Sequence, residues 1–137
     1  MNIKEFKSLL AQSEFTPKEI LEILARDKEY WIRESVAENP NAPKKILEIL
    51  ARDKSHYVRA FVAANPNMSK KTFKFLAKDE YFYVRASVAA NPNTPIEILE
   101  ILAKDKTKLV RLSAIQNSNY HIATKNKNSQ FLLMNTN

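Results

Sequence analysis

Apolar residues recur along this chain in two alternating helical registers. In KEILEILARD the positions Ile20, Leu21, Ile23 and Leu24 follow the i, i+3, i+4 spacing of a helix with a broad buried face. In the segment after Asp27, Ile32 and Val36 stand one helical turn apart and mark a second, narrower apolar face. The pair of registers then repeats. Asp27, Asp53, Asp79 and Asp105 are 26 residues apart, as are Arg33, Arg59, Arg85 and Arg111, and Asn39, Asn65, Asn91 and Asn117. Leu24, Leu50, Leu76 and Leu102 keep the same spacing, and so do Ile32, Val58, Val84 and Val110.

Local signals predict where each helix starts and stops. Thr16-Pro17 and Thr94-Pro95 place a capping hydroxyl before a proline, and Glu19 or Glu97 would complete a capping box. The second helix follows the aspartate and ends at Asn-Pro-Asn, where proline halts it and pushes the preceding residue out of the α region. Two helices of about ten residues cannot bury their apolar faces alone, whereas stacked copies bury a continuous core. The expected fold is therefore all-α: a right-handed α-solenoid of four two-helix repeats, 16–41, 42–67, 68–93 and 94–119. Residues 1–15 are expected to form a capping helix, since 2–12 align with 28–38 and set Phe6 against Ile32 and Leu10 against Val36. Segment 120–137 is expected to be a loose cap or a frayed tail.

Composition narrows the chemistry. The 137 residues include no glycine and no cysteine. Gly-rich phosphate loops and the hairpin turns that need cheap positive φ are excluded. So are disulfides, iron–sulfur clusters and thiolate zinc sites. The two histidines, His56 and His121, stand in dissimilar contexts, and no HExxH or GxSxG occurs. No enzyme, metal or cofactor is expected. MNIKEFKSLLAQSEF has no apolar run of signal-peptide length, and no stretch approaches a membrane span, so a soluble, cytoplasmic protein without membrane contact is expected.

The sequences SVAENPNAPKKILEILARD, FVAANPNMSKKTFKFLAKD and SVAANPNTPIEILEILAKD resemble the leucine-rich repeat variant family. That resemblance implies a repeat of helix, Asn-Pro-Asn-Thr-Pro-like loop and Leu-rich helix, and leaves it open whether the second helix is α or 3₁₀. Some members carry a cysteine-rich iron–sulfur segment, which this chain lacks. The Asp-x5-Arg spacing also resembles HEAT repeats, which implies that Asp27, Arg33, Asp53, Arg59, Asp79, Arg85, Asp105 and Arg111 form a structural ladder between units.

Function is expected in columns that break the repeat. Opposite Ile32 and Val36 lie residues 30, 34 and 38 and their counterparts, so Tyr30, His56, Phe82 and Lys108 are candidate contacts of a concave surface floored by small alanines. Trp31, Tyr57, Tyr83 and Leu109 are expected to pack between repeats. Charge supplies a second candidate. The net charge is +7, with repeats 42–67 and 68–93 at +3 each and repeat 16–41 at −2. Lys44, Lys45, Lys70, Lys71, Lys74 and Lys78 are assigned to first helices, where lysines at an amino terminus oppose the macrodipole and form a basic patch. The expected function is a non-enzymatic scaffold binding a protein or peptide on its concave surface; the alternative is nucleic acid on the lysine-rich surface.

Overall fold

A seven-residue helix does not persist alone in water, and this chain holds four of them, each made stable by what it packs against. The computed structural model describes residues 1–136, and within that range it contains ten helices and no strand. The first helices are α2 (Lys18–Leu24), α4 (Lys44–Leu50), α6 (Lys70–Leu76) and α8 (Ile96–Leu102). The second helices are α3 (Tyr30–Glu38), α5 (His56–Ala64), α7 (Phe82–Ala90) and α9 (Lys108–Gln116), all α-helical. They are flanked by α1 (Ile3–Gln12) and α10 (Ser118–Met134).

The second helices form one continuous layer. In it α1 packs on α3, α3 on α5, α5 on α7 and α7 on α9, while the first helices pack chiefly on the second helices beside them. This is an α-solenoid. The core repeats with it. Leu21, Leu24, Leu47, Leu50, Phe73, Leu76, Leu99 and Leu102 enter from the first layer, and Ile32, Val36, Val58, Val62, Val84, Val88, Val110 and Ala114 from the second. Each fully buried aliphatic side chain stabilises by about 1.5–3 kcal/mol. No single pair of helices could supply that core.

The first-helix starts differ from the capping-box expectation. Pro17, Pro43 and Pro95 occupy the cap position itself, without a side-chain cap bond. The threonines face the other way: Thr16 donates its hydroxyl to the Leu10 carbonyl and Thr94 to the Val88 carbonyl, each at 2.5 Å. Those carbonyls lie in the last turn of the preceding helix, where each also accepts from the cap amide, Leu10 from Ser13 at 3.3 Å and Val88 from Asn91 at 3.1 Å. Side-chain caps do occur at Ser69, which accepts from the Thr72 amide, and at Asn2, which forms a full capping box with Glu5. Ile23 also departs from the buried face assigned to it. It is exposed, as are Ile49, Phe75 and Ile101 in the same column.

Asparagines join one loop to the next. Asn65 donates its side-chain amide to the carbonyls of Ala37 and Asn39 at 2.8 and 2.9 Å, while its own Oδ1 accepts from the Asn67 amide at 2.8 Å. Asn39, Asn91 and Asn117 make the same side-chain donations in the other repeats. The second asparagine of each loop reaches back too, Asn41 to Glu14, Asn67 to Ala42, Asn93 to Pro66 and Asn119 to Pro92. These Asx turns close the chain reversals with ordinary backbone angles, and no described residue has positive φ. Glycine is dispensable for that reason.

At the ends the pattern changes. Phe6, in the column of the fully buried Ile32, is exposed on α1. Segment 120–136 lies within α10 and the two residues after it, packed on α8 and α9 without a fully buried side chain. Asn137 lies outside the described residues.

Candidate functional site

The periodic arginines and aspartates are consumed by the stack. Arg33 donates Nε and NH2 to Asp53 of the next repeat at 2.7 and 3.0 Å, and NH1 to the backbone carbonyl of Asp27 at 2.8 Å. Arg59 binds Asp79 and the Asp53 carbonyl in the same way, and Arg85 binds Asp105 and the Asp79 carbonyl. Each aspartate also accepts from an amide two residues on: Glu29, Ser55, Tyr81 and Thr107. Burial pushes the Asp53 and Asp105 carboxyls up, but the guanidinium and the amide beside each outweigh it and hold both below the usual carboxylate range. The hydrogen bond from the Lys7 ammonium, aided by the Glu29 amide, holds Asp27 low as well. Hydrogen bonds to the aspartates hold Arg33, Arg59 and Arg85 above their ordinary value. Arg111 bonds the Asp105 carbonyl, and Phe131 stands where the repeat would set an aspartate.

The outward face of the second helices is different. Tyr30, Phe82 and Lys108 are exposed and His56 is half-buried. Trp31, Tyr57, Tyr83 and Leu109, expected between repeats, are 37%, 56%, 62% and 44% exposed. They project beside the first four, at the amino-terminal turn of each helix. The rings touch in series. Trp31 meets Tyr30 edge to face at 5.4 Å, Tyr30 stacks with Tyr57 at 6.0 Å, Tyr57 lies 4.2 Å from His56, and His56 stacks on Tyr81 at 4.3 Å. Phe82 and Tyr83 form a further pair at 4.6 Å. Tyr81 was missed by sequence reasoning, although its column, Glu29, Ser55, Tyr81 and Thr107, varies as much as the one chosen.

Below the rings the face is small and uncharged in the middle. Ala60, Ala64 and Ala90 follow down α5 and α7, with Ala86 buried in the core, where α3 has Glu34 and Glu38 and α9 has Leu112 and Gln116. Burial raises the Glu34 carboxyl above its usual value; Arg33 opposes this and Glu38 adds to it. Lys4 of α1 lays its ammonium over the Trp31 ring at 5.5 Å and approaches Glu29 at 3.7 Å.

The lysines stand on the other layer. Lys44, Lys45, Lys70, Lys71 and Lys74 are exposed on α4 and α6, while Lys78 falls in the turn after α6 rather than on the helix. Lys44 donates to the Asn67 carbonyl and side chain, Lys71 pairs with Glu48 at 3.7 Å, and Lys70 reaches Glu97 at 4.0 Å. Exposed pairs of this kind contribute little. Between α4 and α6 a cleft is lined by Lys45, Ile49, Arg52, Lys71 and Phe75, with the Arg52 guanidinium 4.3 Å over the Phe75 ring.

Asparagine loops and helices of this length recur at every repeat and buried arginine rungs at the first three, and the same pattern carries a recognisable signature. Residues 84–106 match the leucine rich repeat variant family. The matched variant segment runs from Val84 in α7 through the Asn91-Pro92-Asn93 loop and α8 to Lys106. It holds the Arg85–Asp105 rung, the Thr94 hydroxyl on Val88 and Asn91, whose side chain reaches back to Asn65 in the preceding loop. No curated protein and no solved structure matches the chain. Among the described residues no cluster of three or more His, Cys, Asp or Glu could hold a metal ion, and no helix is long and apolar enough to cross a membrane.

Proposed function

We propose that this chain is a non-enzymatic repeat scaffold whose second-helix face, the concave side of the stack, takes a protein or peptide segment. The observation that carries this reading is the series of exposed rings from Trp31 to Tyr81, set in columns where the repeats differ. Exposed aromatic side chains offer large contact area at little conformational cost and are enriched where proteins bind one another. No metal or cofactor takes part in this reading, and a cysteine-free chain suits the reducing cytoplasm. Tyr30, His56, Phe82 and Lys108 make the contacts that choose the partner.

A competing reading sets nucleic acid on Lys44, Lys45, Lys70, Lys71, Lys74 and Lys78. The cleft with Arg52 over Phe75 favours it, but these cations lie on the opposite layer from the ring series. Selection of displayed peptides on the full chain separates the two. Peptides lost on His56→Ala and Phe82→Ala, yet retained when Lys44, Lys45, Lys70 and Lys71 are changed to glutamate, support the peptide reading. Binding of a duplex or single strand near physiological salt, with a steep salt slope and loss on the lysine reversals, overturns it.

A further inference from the structure

We propose that the carboxy-terminal end of the stack, at α9, binds a helical segment of another protein that opens on an aspartate and closes on an asparagine 12 residues later, as Asp53 and Asn65 do. The site is separate from the ring series and does not depend on it. The junctions inside the chain show what it holds.

Each junction between consecutive repeats is closed at two points. An arginine fork takes an aspartate of the next repeat, and the asparagine that ends the next second helix takes a carbonyl near the end of the arginine's own helix. Arg33 binds Asp53 through Nε and NH2 at 2.7 and 3.0 Å, while the Ala37 carbonyl accepts from Asn65 at 2.8 Å. Arg59 and Ala63 hold Asp79 and Asn91 in this way, and Arg85 and Ala89 hold Asp105 and Asn117. The fourth such pair is Arg111 and the Ile115 carbonyl. Arg111 is held from behind like the others, because its NH1 donates to the Asp105 carbonyl at 2.8 Å, but among the described residues its Nε and NH2 meet no acceptor. Nor does any described residue donate to the Ile115 carbonyl.

Exposure changes in step. Arg33, Arg59 and Arg85 are buried and Arg111 is half-buried; Ala37, Ala63 and Ala89 are fully buried, whereas Ile115 in their column is 39% exposed. Ala11, in that column on α1, is fully buried with only α3 following it, so the column faces the next second helix. Among the described residues no second helix follows α9. A helix laid there would cover Ile115 and the exposed Leu112 as it brings a carboxylate to Arg111.

The chemistry of the rungs selects the occupant. Each rung carboxylate also accepts the amide two residues on, at Ser55, Tyr81 or Thr107, a reach that belongs to the short side chain of an aspartate in an Asx turn. Such an aspartate meets a guanidinium as a bidentate, charge-assisted pair. Charge agrees with this, since α9 and α10 contain no acidic residue and add Lys108, Lys125 and Lys127. A second copy of the chain fits poorly: its α1 would bring Met1 to the aspartate position and Ser13 to the asparagine position. The chain's own Phe131 stands at the aspartate position, inside α10.

The test titrates the full chain into a labelled peptide with the sequence of residues 53–67, held helical by a hydrocarbon staple that replaces side chains 56 and 60 on its outward face. The staple removes most of the cost of ordering the peptide. Saturable anisotropy below about 1 mM chain, weakened at least tenfold by Asp53→Asn in the peptide and by Arg111→Gln in the chain, supports the proposal. The two changes together should weaken binding no more than either alone, because they remove the same pair, and Asn65→Ala in the peptide is expected to weaken it several-fold. Absence of saturable binding at about 1 mM overturns the proposal, as does binding indifferent to both Asp53→Asn and Arg111→Gln. A peptide lost on His56→Ala and Phe82→Ala of the chain but kept on Arg111→Gln sits on the ring face, which also overturns it. Light scattering that shows the chain alone pairing, with the pairing abolished by Ile115→Glu, gives this end to a second copy and overturns it as well.

Discussion

The buried rungs of the stack and the exposed ring face sit on the same three second helices, α3, α5 and α7, one residue type repeated and the other varied. Arg33, Arg59 and Arg85 meet their aspartates through Nε at 2.7, 2.7 and 2.8 Å. Three positions earlier on the same helices stand Tyr30, His56 and Phe82, with Lys108 in the fourth repeat. A rung residue is tied to the turn before its own helix through a backbone carbonyl and to the next repeat through a carboxylate, so changing it breaks contacts on both sides. A ring residue binds neither neighbour in that way. The repeats differ where difference costs the stack least, and that freedom is what a binding face needs. The ends sharpen the point: at one, Lys7 replaces arginine with a single bond to Asp27 at 2.7 Å, and at the other Arg111 retains its carbonyl contact alone.

The largest expected effect comes from breaking an interior rung. Arg59→Ala leaves the Asp79 carboxylate and the Asp53 carbonyl without their partner in a buried setting, and is expected to lower unfolding free energy by about 3–5 kcal/mol; a urea titration showing less than about 1 kcal/mol would mean that the rungs do not hold the repeats together. Acid is the next lever. Asp27, Asp53 and Asp105 have folded pKa values below their unfolded ones, so their contribution is complete above the unfolded value near 3.8 and is lost as pH falls through the folded values. The urea midpoint should therefore decline as the solution passes below about pH 4–5, and a flat midpoint down to pH 3 would contradict the assignment. At the amino-terminal end, Lys7→Ala removes a half-exposed single bond and is expected to cost about 0–1 kcal/mol. Tyr57→Ser is expected to shift stability by no more than about 0.5 kcal/mol, the usual range for an exposed position, while weakening peptide binding at least tenfold; a larger loss of stability would place the ring among the packing contacts.

Much of the arrangement was legible beforehand. The register of Asp27, Arg33 and Asn39 marked every turn, and the aspartate-to-arginine spacing pointed to rungs. The true partners were less visible. Arg33 shares a rung with Asp53, 20 residues ahead, and takes only the backbone carbonyl from Asp27, six behind. Thr16 looked like a cap because it precedes a proline, yet its hydroxyl serves the carbonyl of Leu10. Hydroxyl patterns describe neighbours in sequence, whereas that carbonyl competes from the preceding helix. The helical wheel sets Trp31 and Tyr57 at the edge of the buried arc, which predicts packing between repeats; the repeats instead leave that edge open, with the two rings 37% and 56% exposed.

The sequence by itself determined the repeat length, the number of repeats, the helical state and the places where each helix stops. Those properties are local: a 26-residue period, a proline that cannot continue a helix and an asparagine that closes its own turn are all read along the chain. Only the tertiary structure decided which aspartate each arginine holds, that Ile23 and its column face outward, and that rings from separate repeats meet in one series. Such facts depend on how closely neighbouring helices approach across the stack. A helical wheel contains no information about that distance, so the sequence marks the residues that differ and the packing reveals the surface they share.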